Sequence, residues 1–270
     1  MRYFFAIAVV LAALGYHPQS RAFLQKLPNQ SMEYLQKVAF TKDISVAGTK
    51  FVSEEEVHSS LPLNESVFWW LINSDKVVAA LASNKYVASA KVAPCSDLIF
   101  NAWGCFRVNI IEHEPKYLVD QGMAAWIASS EGTFLKPVDE SANGLPLDEL
   151  QAEYGPLTVV TGLAGEGSSP DLVNVRFEYV RNTLNVIENE IGRSISQVKF
   201  SSNGEITVVL RDSGINARFA YADEDWGALK NRSTRLRTLL QEVKGREDTI
   251  ELIDLAYQKL AVVKKVVPPS

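Results

Sequence analysis

The sequence predicts an α+β protein: an N-terminal membrane anchor, a β-α-α-β-β domain, then a mixed β-sheet domain with two helices. Three observations carry this. Val87–Val92 and Phe106–Pro115 each alternate apolar and polar residues at the period of a half-buried strand. Val180, Leu184, Ile187 and Ile191 recur at helical spacing between stretches of short-strand character. An unbroken apolar run covers Tyr3–Tyr16. The expected limits are 1–16 for the anchor or signal segment, 17–42 for a spacer, 43–115 for the first domain and 116–270 for the second.

The apolar run follows Arg2 and stops at His17-Pro18. As a helix it is roughly 21 Å long, short of the roughly 30 Å of bilayer hydrocarbon. Its length suits a secretory signal, with weak cleavage sites at Ala13-Leu14-Gly15 or Ser20-Arg21-Ala22. Its flanking aromatics and Arg21 suit an uncleaved anchor. Both readings place the bulk of the chain outside the cytoplasm. In that oxidising setting Cys95 and Cys105 are expected to form a disulfide, worth about 2.5–3 kcal/mol through loop closure. Two buried thiols are the alternative, and the spacing is far from that of a Cys-x-x-Cys redox pair.

The first domain opens with a short strand at Ile44–Val46, ended by Gly48. Ser53-x-x-Glu56 is a capping box for a helix through Ser60, stopped by Leu61-Pro62. Val67–Ile72 forms an apolar connector, with the Trp69-Trp70 pair read as core. Ser74 or Asp75 caps a second helix whose buried stripe is Val77, Val78 and Leu81. The paired strands follow, and Pro115 closes the second of them.

In the second domain, strands are expected at Tyr117–Asp120 and Ala124–Ile127, with a turn at Glu131-Gly132. Residues 139–156, rich in Asp, Glu, Gly and Pro, read as an exposed excursion. A long helix covers about Asp171–Ile191. Strands at Ile195–Phe200 and Glu205–Leu210 form a hairpin across Ser202-Asn203-Gly204, and another strand covers Ala217–Tyr221. Asp223–Asp225 open a helix with Leu229, Leu236, Leu240 and Val243 on its core face, ended by Gly245. Ile250–Leu255 and Tyr257–Val267 are the closing strands.

Charge and composition exclude several function classes. A net charge of −5 argues against a nucleic-acid surface. Three His and two Cys, scattered along the chain, predict neither a metal site nor a cofactor. In Glu112-His113-Glu114 the carboxylates share one strand face and His113 points to the other, as expected of a solvated strand end. Ser196-x-x-Lys199 matches the first element of a penicillin-recognising serine site, but its odd separation on a strand and the absence of the companion motifs reject that reading. With no convergent polar site, the protein is expected not to be an enzyme.

This ordered set resembles the FtsQ/DivIB family of bacterial cell-division proteins. The first domain is similar to a POTRA module, from Gly48 through the Ser53-Glu54-Glu55-Glu56 helix start and Leu63-x-x-x-x-Val67-Phe68 to Tyr86-Val87-x-x-Ala90-x-Val92. Further similarities are Glu112-His113-Glu114-Pro115, Trp126-Ile127 through Glu131-Gly132-x-Phe134, Leu157-x-x-x-Thr161-Gly162, and Ile253-Asp254-Leu255-x-Tyr257. The connection from Val92 to Phe106, which holds both cysteines, is longer than in the family pattern.

The resemblance favours the anchor over the cleaved signal. It implies a single-pass protein of the inner membrane, mostly periplasmic, at the division septum. It also implies a non-enzymatic divisome scaffold that binds FtsB-like and FtsL-like bitopic coiled-coil partners by strand addition and so helps regulate septal wall synthesis. Other divisome components are expected at the POTRA-like domain. On residues alone the last strand reads as an ordinary edge guarded by Lys259, Lys264 and Lys265. The resemblance makes Tyr257, Gln258, Lys259, Leu260, Ala261, Val262 and Val263 the expected partner-binding residues. The alternative is an exported POTRA adaptor in another envelope assembly or secretion pathway.

Overall fold

The computed structural model describes residues 43–63, 70, 73–95, 105–122, 124–138, 146–165, 169–220, 226–257 and 260–265. The chain divides into two compact units between His113 and Glu114. The expected anchor (1–16), the spacer (17–42), Trp69 and Asp223–Asp225 lie outside the described residues.

In the first unit, β1 (Asp43–Ala47), α1 (Glu54–Ser60), α2 (Ser74–Leu81), β2 (Val87–Pro94) and β3 (Cys105–Glu112) follow in the expected order. The sheet order is β1-β3-β2, with β3 parallel to β1 and antiparallel to β2. Alternation along β3 buries Phe106, Val108 and Ile110 and exposes Arg107, Asn109 and Ile111, so only one sheet face is covered. Val57 of α1, Val77 and Leu81 of α2, and Trp70 complete that core. The Trp70 ring stacks on Phe106 at 5.2 Å, and its indole N–H donates to the Pro62 carbonyl at 3.2 Å.

The capping box at Ser53 and Glu56 forms in both directions. The second helix differs in one detail: Asn73, not Ser74 or Asp75, holds the cap position, and its carbonyl accepts from Lys76 and Val77 N–H. Gly48 has φ +89°, and a Cβ there would overlap the Ile110 carbonyl oxygen, so glycine is required where the chain leaves β1 close against β3. Cys95 and Cys105 are joined, with Cα atoms 5.5 Å apart, where β2 ends and β3 begins.

Glu112 is not a solvated strand end. Its carboxylate accepts hydrogen bonds from three successive backbone N–H groups: Lys50 at 3.0 Å, Phe51 at 2.9 Å and Val52 at 2.9 Å. These donors precede α1, so one side chain at the end of β3 fixes the entry to the helix.

The second unit is a nine-stranded mixed sheet in the order β12-β11-β10-β9-β8-β7-β4-β5-β6. Its strands are β4 (Pro115–Asp120), β5 (Ala125–Ser129), β6 (Phe134–Val138), β7 (Thr158–Thr161), β8 (Ile195–Phe200), β9 (Ile206–Leu210), β10 (Asn216–Phe219), β11 (Ile250–Asp254) and β12 (Val262–Lys265). Three α-helices, α3 (Leu147–Tyr154), α4 (Pro170–Ile191) and α5 (Trp226–Glu242), replace the two expected. Residues 147–154 of the expected excursion form α3, with Leu150 and Tyr154 buried; residues 139–145 lie outside the described set. Pro115 opens β4 rather than closing β3, a position where the missing N–H costs no ladder bond.

α4 and α5 cover one face of the sheet. Val180, Leu184, Ile187 and Ile191 of α4 and Leu229, Leu236 and Leu240 of α5 meet Val160, Val198, Val208, Ala217 and Ile253 in one core. Ser169 caps α4 by accepting from Leu172 N–H, and Gly192, at φ +67°, ends it. Strand β7 was not anticipated, yet it is central: parallel to both β4 and β8, it joins the two halves of the sheet. Gly162 follows it at φ +79°, where a Cβ would overlap the Phe200 carbonyl oxygen. On β8 the Ser196 hydroxyl donates to the Val209 carbonyl at 3.1 Å.

Candidate partner-binding edge

Among the described residues, strand β12 is the last strand and the outermost of its sheet. It pairs antiparallel with β11 through Ile250↔Lys265, Leu252↔Lys264, Ile253↔Val263 and Asp254↔Val262, with an irregularity between Ile250 and Leu252. Its other side has no strand partner among the described residues. An edge of this kind presents backbone donors and acceptors that another chain can complete.

The strand is shorter than expected. Tyr257–Val267 was expected to be continuous, but β12 covers only Val262–Lys265. Tyr257 lies in the bend that follows β11, 54% exposed, and Gln258 and Lys259 lie outside the described residues. Leu260 precedes the strand and is 68% exposed. Ala261 and Val263 are half-buried against the core of the unit, whereas Val262, on the opposite parity, is 51% exposed. Of the seven expected partner-binding residues, the strand itself therefore holds two, Val262 and Val263.

Eight large apolar side chains are exposed among the described residues, and Tyr257, Leu260 and Val262 are three of them, within six positions of one another. Lys264 reaches back to Glu251 at 2.9 Å. The edge thus combines an apolar surface with one paired and one further lysine, Lys265.

Behind it lies a pair that sequence reasoning missed. Arg218 of β10 hydrogen-bonds Asp254, the last residue of β11, and the Arg218 carbonyl accepts from Leu255 N–H at 2.8 Å. Asp254 is 6% exposed, and its second oxygen accepts from Ala256 N–H at 2.9 Å. The hydrogen bond from Arg218 holds the Asp254 carboxyl below the usual carboxylate range, against the opposing effect of burial, and the Ala256 N–H adds to the lowering. The available signal was Asp254 itself: an acid inside an apolar closing strand, Ile250–Leu255, which is costly to bury without a cation. Its partner lies 36 residues earlier and left no such mark.

Among the described residues no three His, Cys, Asp or Glu gather as a metal site. No helix there is long and apolar enough to cross a membrane, and the run Tyr3–Tyr16 lies outside them.

No curated protein matches the chain. A family model described as the POTRA domain, FtsQ-type, matches residues 41–93. That stretch spans β1, both helices of the first unit and nearly all of β2, the same elements that carry the capping box, Gly48 and the Trp70 core. An FtsQ-type POTRA domain points to a divisome-related protein, and with it the chain is FtsQ/DivIB-like.

Proposed function

We propose that this protein is a non-enzymatic scaffold of the division machinery, anchored by its N-terminal apolar run in the inner membrane with the bulk of the chain periplasmic at the septum. It binds small bitopic coiled-coil proteins similar to FtsB and FtsL by strand addition at β12, and through them helps regulate septal wall synthesis. The observation that carries this reading is the open edge of β12, bordered by exposed Tyr257, Leu260 and Val262. Backbone pairing supplies affinity in such a complex, and the side chains on one face supply selectivity. The FtsQ-type POTRA domain supports the assignment to division and provides a second surface for other divisome components.

The test is a pull-down from detergent-solubilised envelope with the full chain, a Tyr257→Ala form and a form truncated after Leu255, each checked for folding by circular dichroism. Recovery of FtsB-like and FtsL-like proteins by the intact chain, and their loss from both variants, is expected. Undiminished recovery by both moves the site away from β12. Recovery of secretion components in their place favours the POTRA-adaptor reading.

A further inference from the structure

We propose that Arg218 and Asp254 are positioning residues for the partner edge: from β10, Arg218 clamps the exit of β11 and so sets the pose of Tyr257, Leu260 and Val262. The inference rests on the reading of β12 as the strand-addition site.

The geometry is a two-point hold. The carbonyl of Arg218 takes the N–H of Leu255, and its guanidinium takes the carboxylate of Asp254. Asp254 passes the constraint forward by accepting Ala256 N–H. Three consecutive residues, 254 to 256, are therefore tied down immediately before the chain bends at Tyr257. Asp254 is also the ladder partner of Val262, so the same residue ends β11 and registers the first residue of β12. Its burial means that loss of the guanidinium leaves an uncompensated carboxylate, which the chain relieves by moving. The bend and β12 are held least, because among the described residues β12 pairs on one side, with β11, whereas β10 pairs with both β9 and β11. The Arg218 Nε–H is buried and has no hydrogen-bond partner among the described residues.

Neither residue needs to touch the partner. Arg218 stands two strands inside the edge, in line with Asp254 and Val262 across the sheet. Its effect is on the order of the bend, and hence on how much of the partner's binding energy is spent on ordering it.

The experiment uses the full-length chain in its membrane, with a photo-cross-linking amino acid in place of Leu260 and an epitope-tagged FtsB-like protein as the probe. Asp254→Asn and Arg218→Gln are each expected to cut cross-link yield about tenfold, equivalent to ~1.4 kcal/mol. The milder Arg218→Lys keeps the charge but not the fork, and is expected to fall between them and the parent. Hydrogen exchange separates positioning from general damage: it should rise across 255–262 and stay unchanged in β8 and β9. Faster exchange throughout the unit overturns the clamp in favour of a purely structural pair. If all three variants cross-link like the parent while Val262→Pro abolishes the cross-link, the clamp falls and the edge site stands. If Val262→Pro also cross-links like the parent, the edge reading fails and takes the clamp with it.

Discussion

Two strands of the nine-stranded sheet, β4 inside it and β12 at its edge, are built differently. In β4, Tyr117, Leu118 and Val119 are consecutive and all essentially inaccessible, so both faces of that strand are covered. In β12 the pattern alternates, with Val262 exposed and Val263 half-buried, and the strand's outer side has no strand partner among the described residues. Strand β4 is committed to stability: it is paired on both sides, by β5 and β7, and its central side chains are covered on both faces. Among the described residues, strand β12 keeps an unpaired backbone edge beside exposed apolar side chains, a surface that contributes little to the fold of the unit. The difference teaches that the proposed partner surface of this unit lies where the packing is least complete.

Substitutions can break or sharpen that contrast. The largest expected effect is from Gly162→Ala, at the junction of β7 with the sheet. The left-handed backbone and the overlap with the Phe200 carbonyl predict a loss of about 3 kcal/mol or more, read as a lowered urea midpoint of the second unit. Leu118→Ala, which empties a site covered on both faces, should cost about 2–5 kcal/mol by the same measurement. A cost near zero would mean that one face of β4 is open after all.

In the first unit, Glu112→Gln removes the charge that three N–H groups share, and a loss of about 1–3 kcal/mol is expected. Thermal unfolding of the isolated 43–113 segment, if it folds alone, or otherwise hydrogen exchange of Lys50–Val52 in the full chain, reads it.

A smaller effect is the acid dependence of the Arg218–Asp254 pair. The folded carboxyl titrates below its unfolded value, so the pair's stabilisation is complete above about pH 4 and is lost as pH falls through the lower folded value. Glu205 also acts on Arg218, so the profile should be compared with Asp254→Asn, in which this component disappears. An unchanged profile in that variant would remove Asp254 from the acid response.

The smallest effect on stability belongs to the edge. Leu260→Ser and Tyr257→Ala should leave the unfolding midpoint within about 0.5 kcal/mol of the parent, while recovery of the FtsB-like partner falls. Equal losses of stability and of binding would erase the distinction between the inner strand β4 and the edge strand β12.

Elements with a strong local signal were legible. The spacing of Val180, Leu184, Ile187 and Ile191 located α4 to within a residue, and Ser53 with Glu56 located α1. The alternation around Val87 and Phe106 located the hairpin, because a strand covered on one face writes its burial pattern directly into the sequence. Strand β7, only Thr158–Thr161, was missed: four residues between Pro156 and Gly162 carry too short a pattern, and its importance comes from neighbours distant in the chain. Helix α3 was hidden by the acidic, Gly- and Pro-rich composition around it, and Leu150 and Tyr154 alone are a weak stripe. The edge was expected from the position of the last strand, but its register was not, because Tyr257 through Val263 has no clean alternation to mark where pairing with β11 begins.

By itself the sequence determined the α+β class, the order of the first unit, the long helix, the 195–210 hairpin and the resemblance that led to division. Each of these rests on local periodicity, capping or turn chemistry, which act over a few residues. Only the tertiary structure decided that Glu112 serves the loop before α1, that β7 is central, that β12 is four residues long, and that Arg218 holds Asp254. The contacts of Glu112, of β7 and of Arg218 join groups that meet across 36 to 62 residues of chain, where pairing is chosen by the packing of the whole unit and not by any local preference.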